Sequence, residues 1–269
     1  MPTAAIESHA IYYDEQGSGH PLLLVPGLGS TRLGWWKQIG PLSQKLHAIN
    51  IDNRDAGDST LSRGPYTIAD MADDAAGVLQ HLDIGPAHVM GWSMGGFIAL
   101  ELVARHPALV QKLILVATSA GGPTAVRATP EIGALLLRNE SEDIDTRVRR
   151  TFPVLAGDGY MLAHPDDLAQ LVRHAQAKPM TIDAYQRQLG AVINWGGIRD
   201  RLADIAAPTL VIHGDDDPLI PYVNGQHLAA QIANTKLSTY PGVGHLVPIE
   251  APERFNREVL EFLLTESAG

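Results

Sequence analysis

Two kinds of apolar segment alternate along this chain. Short unbroken runs, such as Leu22-Leu23-Leu24-Val25 and Leu113-Ile114-Leu115-Val116, have no polar alternation and read as strands buried on both faces. Longer segments carry apolar residues at three-and-four spacing and read as helices with one buried face. Strands are expected over 10–14, 22–26, 48–52, 87–91, 112–117, 209–214 and 236–240, and helices over 36–46, 68–82, 94–105, 221–232 and 252–264. Asp70, Asp73 and Asp74 fall early in the second helix, where negative charge complements the helix dipole. Such alternation builds a mostly parallel sheet of about eight strands flanked by helices, an α/β fold.

The alternation stops between about residues 121 and 201. Helical pieces occur there, at 166–177 and 181–195, without a strand, and Gly196-Gly197 marks the exit. This is read as a helical cap (122–201) inserted after the sixth strand of one core, residues 1–121 plus 202–269. Its charged run, from Arg138 through Asn139, Glu140 and Glu142 to Arg147, Arg149 and Arg150, reads as a solvated helix face.

Composition narrows the chemistry. The 269 residues, 45% hydrophobic, suffice for a sizeable core, which excludes a disordered chain. A formal net charge of −10 argues against nucleic acid and anionic membrane surfaces as partners and suits a neutral substrate. With 0 Cys, neither a disulfide framework nor a thiolate nucleophile is available, so covalent chemistry falls to oxygen or nitrogen. The N-terminal Met1-Pro2-Thr3-Ala4-Ala5-Ile6-Glu7 has no basic and apolar leader pattern, and no apolar run approaches the ~20 residues of a membrane span, so a cytoplasmic protein is expected.

That oxygen is offered by Gly91-Trp92-Ser93-Met94-Gly95, which follows one expected strand and opens the next helix. G-x-S-x-G in strand–turn–helix context is a nucleophile elbow that lifts its serine above the carboxyl ends of the strands. A serine hydroxyl needs a base, and the base needs an orienting acid. His245, in Pro241-Gly242-Val243-Gly244-His245, sits on a loop between the last strand and the last helix, where it can reach Ser93. The acid comes from Asp215-Asp216-Asp217-Pro218. Three adjacent carboxylates repel, so at least two face water, and Asp217 beside the rigid Pro218 is the first choice, then Asp215, then Asp216. Oxyanion donors are expected at the backbone N–H of Met94, after the nucleophile, and of Leu28 in Val25-Pro26-Gly27-Leu28-Gly29-Ser30.

These motifs, from Pro26-Gly27-Leu28-Gly29 through Ser93 to Asp217-Pro218 and Gly244-His245, resemble the α/β-hydrolase superfamily. The likeness is to its cap-bearing branch of esterases, lactonases, carbon–carbon hydrolases and cofactor-free haloperoxidases. The resemblance implies catalytic residues at Ser93, Asp217 and His245, with no cofactor and no metal. Two departures stand out. Pro26 replaces a common histidine, and Asp52-Asn53-Arg54-Asp55-Ala56-Gly57-Asp58-Ser59 carries Asp55 where D-x-R-G-x-G-x-S has its first glycine. Arg54 and Asp58 are read as tying loops together. Ser93 at the nucleophile position argues against dehalogenase and epoxide hydrolase chemistry, which use aspartate.

The expected reaction is cleavage of a neutral carboxylic ester through an acyl-enzyme, with a lactone such as an acyl homoserine lactone as the nearest alternative substrate. A carbon–carbon hydrolase needs a partner for a substrate carboxylate, for which Arg127 and Arg199 are the candidates, and a binding protein that keeps the pocket without turnover is the non-enzymatic alternative. Trp35, Trp36, Trp92, Met161, Leu162, Tyr185 and Trp195 are candidate pocket walls.

Overall fold

The computed structural model describes residues 2–6, 9–138 and 141–265, so Met1, Glu7, Ser8, Asn139, Glu140 and the last four positions lie outside the described residues. Strands β1 (Thr3–Ile6), β2 (His9–Gln16), β3 (His20–Val25), β4 (Leu46–Ile51), β5 (Ala87–Trp92), β6 (Val110–Val116), β7 (Thr209–Gly214) and β8 (Thr235–Tyr240) form one sheet in the order β1-β2-β4-β3-β5-β6-β7-β8. β1 with β2 and β2 with β4 are antiparallel; every other neighbouring pair is parallel. Alternate residues of each strand feed opposite layers. Leu22 and Leu24 of β3 enter one hydrophobic cluster, Leu23 and Val25 the other.

Helices α1 (Ile39–Ser43), α2 (Ile68–His81) and α3 (Met94–Arg105) precede β6. Between β6 and β7 come α4 (Pro130–Ala134), α5 (Ile144–Leu155), α6 (Tyr160–Ala163), α7 (Pro165–Ala177) and α8 (Ile182–Ile193), with no strand among the described residues. α9 (Val223–Gln231) joins β7 to β8, and α10 (Val247–Glu250) and α11 (Pro252–Leu264) follow. Among the described residues no helix is long and apolar enough to cross a membrane.

The short helices α4, α6 and α10 were not expected, and two further differences have a physical reason. The single helix expected over 36–46 is instead a 3-10 turn, Arg32–Trp35, then α1, and Leu46 already belongs to β4. Pro41 explains this: proline is tolerated in the first turn of a helix and breaks its interior, so no helix can run into it from Trp36. β1 was not expected, because a four-residue edge strand alternating exposed and buried positions leaves almost no apolar run to recognise.

The strand order sets the place for a site. The chain runs outward from β3 to β4 on one side and to β5 on the other, so the order reverses between β3 and β5. Ligands bind at such a switch point, in the crevice beyond the carboxyl ends of the strands. Val25 pairs with Gly91 in register, which sets the loop after β3 beside the turn after β5.

Candidate active site

Ser93 is the residue between β5 and α3, and its backbone has φ 58° and ψ −119°, a region that L-residues seldom occupy. Surrounding hydrogen bonds hold it there. Its N–H donates to the Val116 carbonyl at 2.9 Å, and its own carbonyl accepts from the Gly96 N–H and the Thr118 hydroxyl, both at 2.8 Å. The flanking glycines are forced by contact. A Cβ at Gly91 would sit 2.1 Å from the Gly95 carbonyl oxygen, and one at Gly95 would sit 2.1 Å from that of Val25.

His245 follows β8 and is 4% exposed. Its N–H donates to the Leu155 carbonyl at 2.7 Å, its carbonyl accepts from the Trp92 indole at 3.1 Å, and its Nδ1 lies 2.8 Å from Asp217 Oδ2. Of the three adjacent carboxylates only Asp217 turns inward; Asp215 and Asp216 are exposed, and Asp215 accepts from the Gly242 N–H. Asp217 Oδ1 accepts from the N–H groups of Leu219 and Ile220 at 2.9 and 2.8 Å. A second imidazole, His213 of β7, stands 3.4 Å from Oδ2. Burial pushes the Asp217 carboxyl up, but His245 and His213, by charge and hydrogen bonding, outweigh it and hold the group at about 2. An ionised Asp217 fixes the His245 tautomer with its proton on Nδ1 and Nε2 free to accept.

The loop after β3 reaches the same place. Among the described residues neither the Leu28 nor the Met94 N–H has an acceptor. Asn53 donates to the Pro26 carbonyl at 2.9 Å, and Gln188 of α8, fully buried, accepts from the Gly29 N–H at 3.0 Å while donating to the Arg54 carbonyl. Gln188 was missed by sequence reasoning, because its role depends on α8 returning over the β3 loop. The loop at 52–59 is bound on every side. Asp52 takes the Arg32 guanidinium, Arg54 pairs with Asp74 of α2, Asp58 pairs with Lys178, and Asp55, at φ 68°, takes Arg187 of α8.

Ser93, His245, Leu28 and Met94 line one cavity of about 540 Å³, closed over by residues of α4, α5, α7 and α8. Of the expected walls, Trp36, Trp92, Tyr185 and Trp195 face it; Trp195 stacks on Phe97 at 4.6 Å between ring centres. Trp35 and Met161 do not: both are packed in the hydrophobic cluster on one face of the sheet, Trp35 against Trp92. Leu162 is 89% exposed and Arg199 lies exposed in a 3-10 turn, both off the cavity, whereas Arg127 does line it. The charged run at 138–150 is not the uniformly solvated face expected of it. Asp145 and Arg149 form an exposed pair, but Arg138 and Arg147 line the cavity, because positions 147, 151 and 155 share the inner face of α5.

A family model described as alpha/beta hydrolase fold matches residues 20–252. The chain is 31% identical over 262 residues to a putative carbamate hydrolase RutD of Serratia proteamaculans, covering 94% of this chain and 96% of that one. It is 32% identical over 247 residues to a poly(3-hydroxyalkanoate) depolymerase of Ectopseudomonas oleovorans, covering 91% and 85%. Among solved structures it is similar to Est816, described as an N-acyl homoserine lactone degrading enzyme, with a TM-score of 0.80 and 28% identity over 97% of this chain and 100% of that one.

Proposed function

The chain belongs to the alpha/beta-hydrolase family and is a hydrolase, and from that premise we propose that it cleaves a carboxylic ester, open or cyclic, through a Ser93 acyl-enzyme. The observation that carries this reading is the shared cavity. It brings a serine held at a strained elbow together with an imidazole whose far nitrogen is held by an ionised, buried carboxylate.

Ser93 Oγ attacks the ester carbonyl while His245 Nε2 takes its proton. Asp217 stabilises the imidazolium, and the oxyanion forms against the Leu28 and Met94 N–H groups, which meet no acceptor among the described residues. The C–O bond to the leaving alcohol breaks as His245 returns its proton to that oxygen. Water, deprotonated by His245, then attacks the acyl-enzyme, releases the acid and restores Ser93. A lactone runs through the same steps with its alcohol still tethered, and the likeness to a lactone-degrading enzyme supports cyclic esters as substrates.

A fluorophosphonate is expected to leave a single mass adduct on the peptide carrying Ser93, and Ser93→Ala to lose both the adduct and about 10³-fold or more of the esterase rate. Near-full ester hydrolysis by Ser93→Ala sinks the proposal. Rates on linear esters against lactones of matched acyl length then decide which is preferred.

A further inference from the structure

The charge inside the cavity runs against the charge of the whole chain. Arg127, Arg138, Arg147 and Lys178 line it, and among the described residues no Asp or Glu does. Lys178 is paired with Asp58, and Arg127 is exposed. Arg138 and Arg147 differ from both: neither makes an ion pair with a described residue, and the described acids around them are engaged elsewhere, Glu142 with Arg150, Asp143 with Thr146 and Asp145 with Arg149, while Glu140 lies outside the described residues. The Arg138 Nη1 donates to the Met180 carbonyl at 2.9 Å, which fixes the side chain without neutralising it.

On Arg147, Nε is buried without a hydrogen-bond partner; one helical turn along, so is the hydroxyl of Thr151, and both residues line the cavity. The two guanidinium carbons lie 5.1 and 5.8 Å from the centre of the Tyr185 ring. That ring abuts the oxyanion loop, since a Cβ at Gly29 would meet Tyr185 Cε2 at 2.8 Å. Burial and the Arg138 charge pull the Arg147 guanidinium below the usual arginine range, yet arginine stays protonated in water's pH range. The Glu142 charge acts on Arg147 from beyond ion-pair distance, but two half-buried cations side by side, with donors unused and no ion pair to a described carboxylate, are stabilised when an anion joins them.

We propose that Arg138 and Arg147 form an anion subsite in the active-site cavity, and that the substrate is a small ester or lactone bearing a carboxylate, which docks on the two guanidiniums while its reacting carbonyl lies at Ser93. This rests on the ester-hydrolase reading above. It replaces the neutral substrate that the total charge favoured, because the field a substrate meets is set by the cavity wall rather than by the sum over the surface.

The test compares ethyl hexanoate with monoethyl adipate, whose acyl chains are equal in length and differ by a terminal carboxylate, at fixed ionic strength. Wild-type protein is expected to favour monoethyl adipate in kcat/KM, and Arg138→Gln and Arg147→Gln each to lower that preference about tenfold or more, as loss of a hydrogen bond to a charged group implies. Arg147→Lys, which keeps the charge and loses the fork, is expected to recover part of it. Calorimetry of monoethyl adipate with Ser93→Ala reads the subsite without turnover, and adding Arg147→Gln is expected to weaken that binding about tenfold; unfolding midpoints verify that each variant is folded. A wild-type preference for the neutral ester, a preference unchanged in both glutamine variants, or no binding to Ser93→Ala at millimolar concentration each overturns the proposal. Retained hydrolysis in Ser93→Ala instead removes the Ser93 acyl-enzyme reading, and the calorimetry still decides the subsite.

Discussion

Ser93 holds a backbone conformation worth on the order of 1–3 kcal/mol of strain, and three hydrogen bonds to its own N–H and carbonyl keep it there. At Ser93 this strain is legible in sequence, because glycines two residues to either side and a strand-to-helix turn accommodate it. The polar partners of an arginine are not legible. Arg147 and Arg149 look alike in the run around them, yet one faces the cavity and the other meets Asp145 in solvent. Titration follows the same local rule. His88 of β5 is 3% exposed, and burial, with the charges of His20 and Lys112, pulls its imidazole down to about 3. The folded state thus favours the neutral ring, while the unfolded chain takes a proton below about pH 6.5, so this contribution to stability is complete above pH 6.5 and is lost as pH falls toward 3. Between pH 7 and 5 the loss amounts to about 2 kcal/mol, and denaturant titrations at the two pH values are expected to differ by roughly that much less in His88→Asn.

Helix ends show how far element-level rules carry. Thr67 caps α2 and forms a reciprocal capping box with Asp70, so Thr67→Ala is expected to cost about 1 kcal/mol in urea unfolding without changing kcat. Of the three aspartates expected to serve that helix end, only Asp70 does. Asp73 pairs with Arg105 and His106, and Asp74 is buried against Arg54 and His9. Period and caps located α2, α3, α7 and α11 closely. They failed over 36–46, where Pro41 and the start of β4 divide one apparent apolar period into two elements. They could not orient α5, since its outer face is charged and its inner face also carries a charge, Arg147, that period analysis assigns to water.

At the scale of the molecule, the helices between β6 and β7 share both hydrophobic layers with the sheet. Ala191 and Ile198 join the layer that holds α2 and α3, while Val148, Leu155, Leu171 and Val172 join the layer that holds α11. Ion pairs Lys178–Asp58, Arg187–Asp55 and Lys37–Asp167 cross between this segment and the sheet loops. A segment so built unfolds with its core. Tryptophan fluorescence, which includes Trp195 stacked on Phe97, and far-ultraviolet circular dichroism are therefore expected to give one coincident urea transition. Two separated transitions would show the helical segment melting by itself. Within this segment Gly157 and Gly197 are packed against the backbones of Gly242 and of Ala120 and Gly121, while Gly159 and Gly196 have open space beside them.

The sequence by itself determined the α/β architecture and the helical interruption, which follow from apolar period, and it nominated Ser93, His245 and one of three adjacent aspartates, with Asp217 ranked first, as candidates. Only the tertiary structure decided which cations face the cavity, that Gln188 holds the β3 loop, and that Trp35 and Met161 belong to the core. Those facts depend on which faces of distant elements meet, and a pattern along the chain fixes the faces of a helix without saying what lies opposite them.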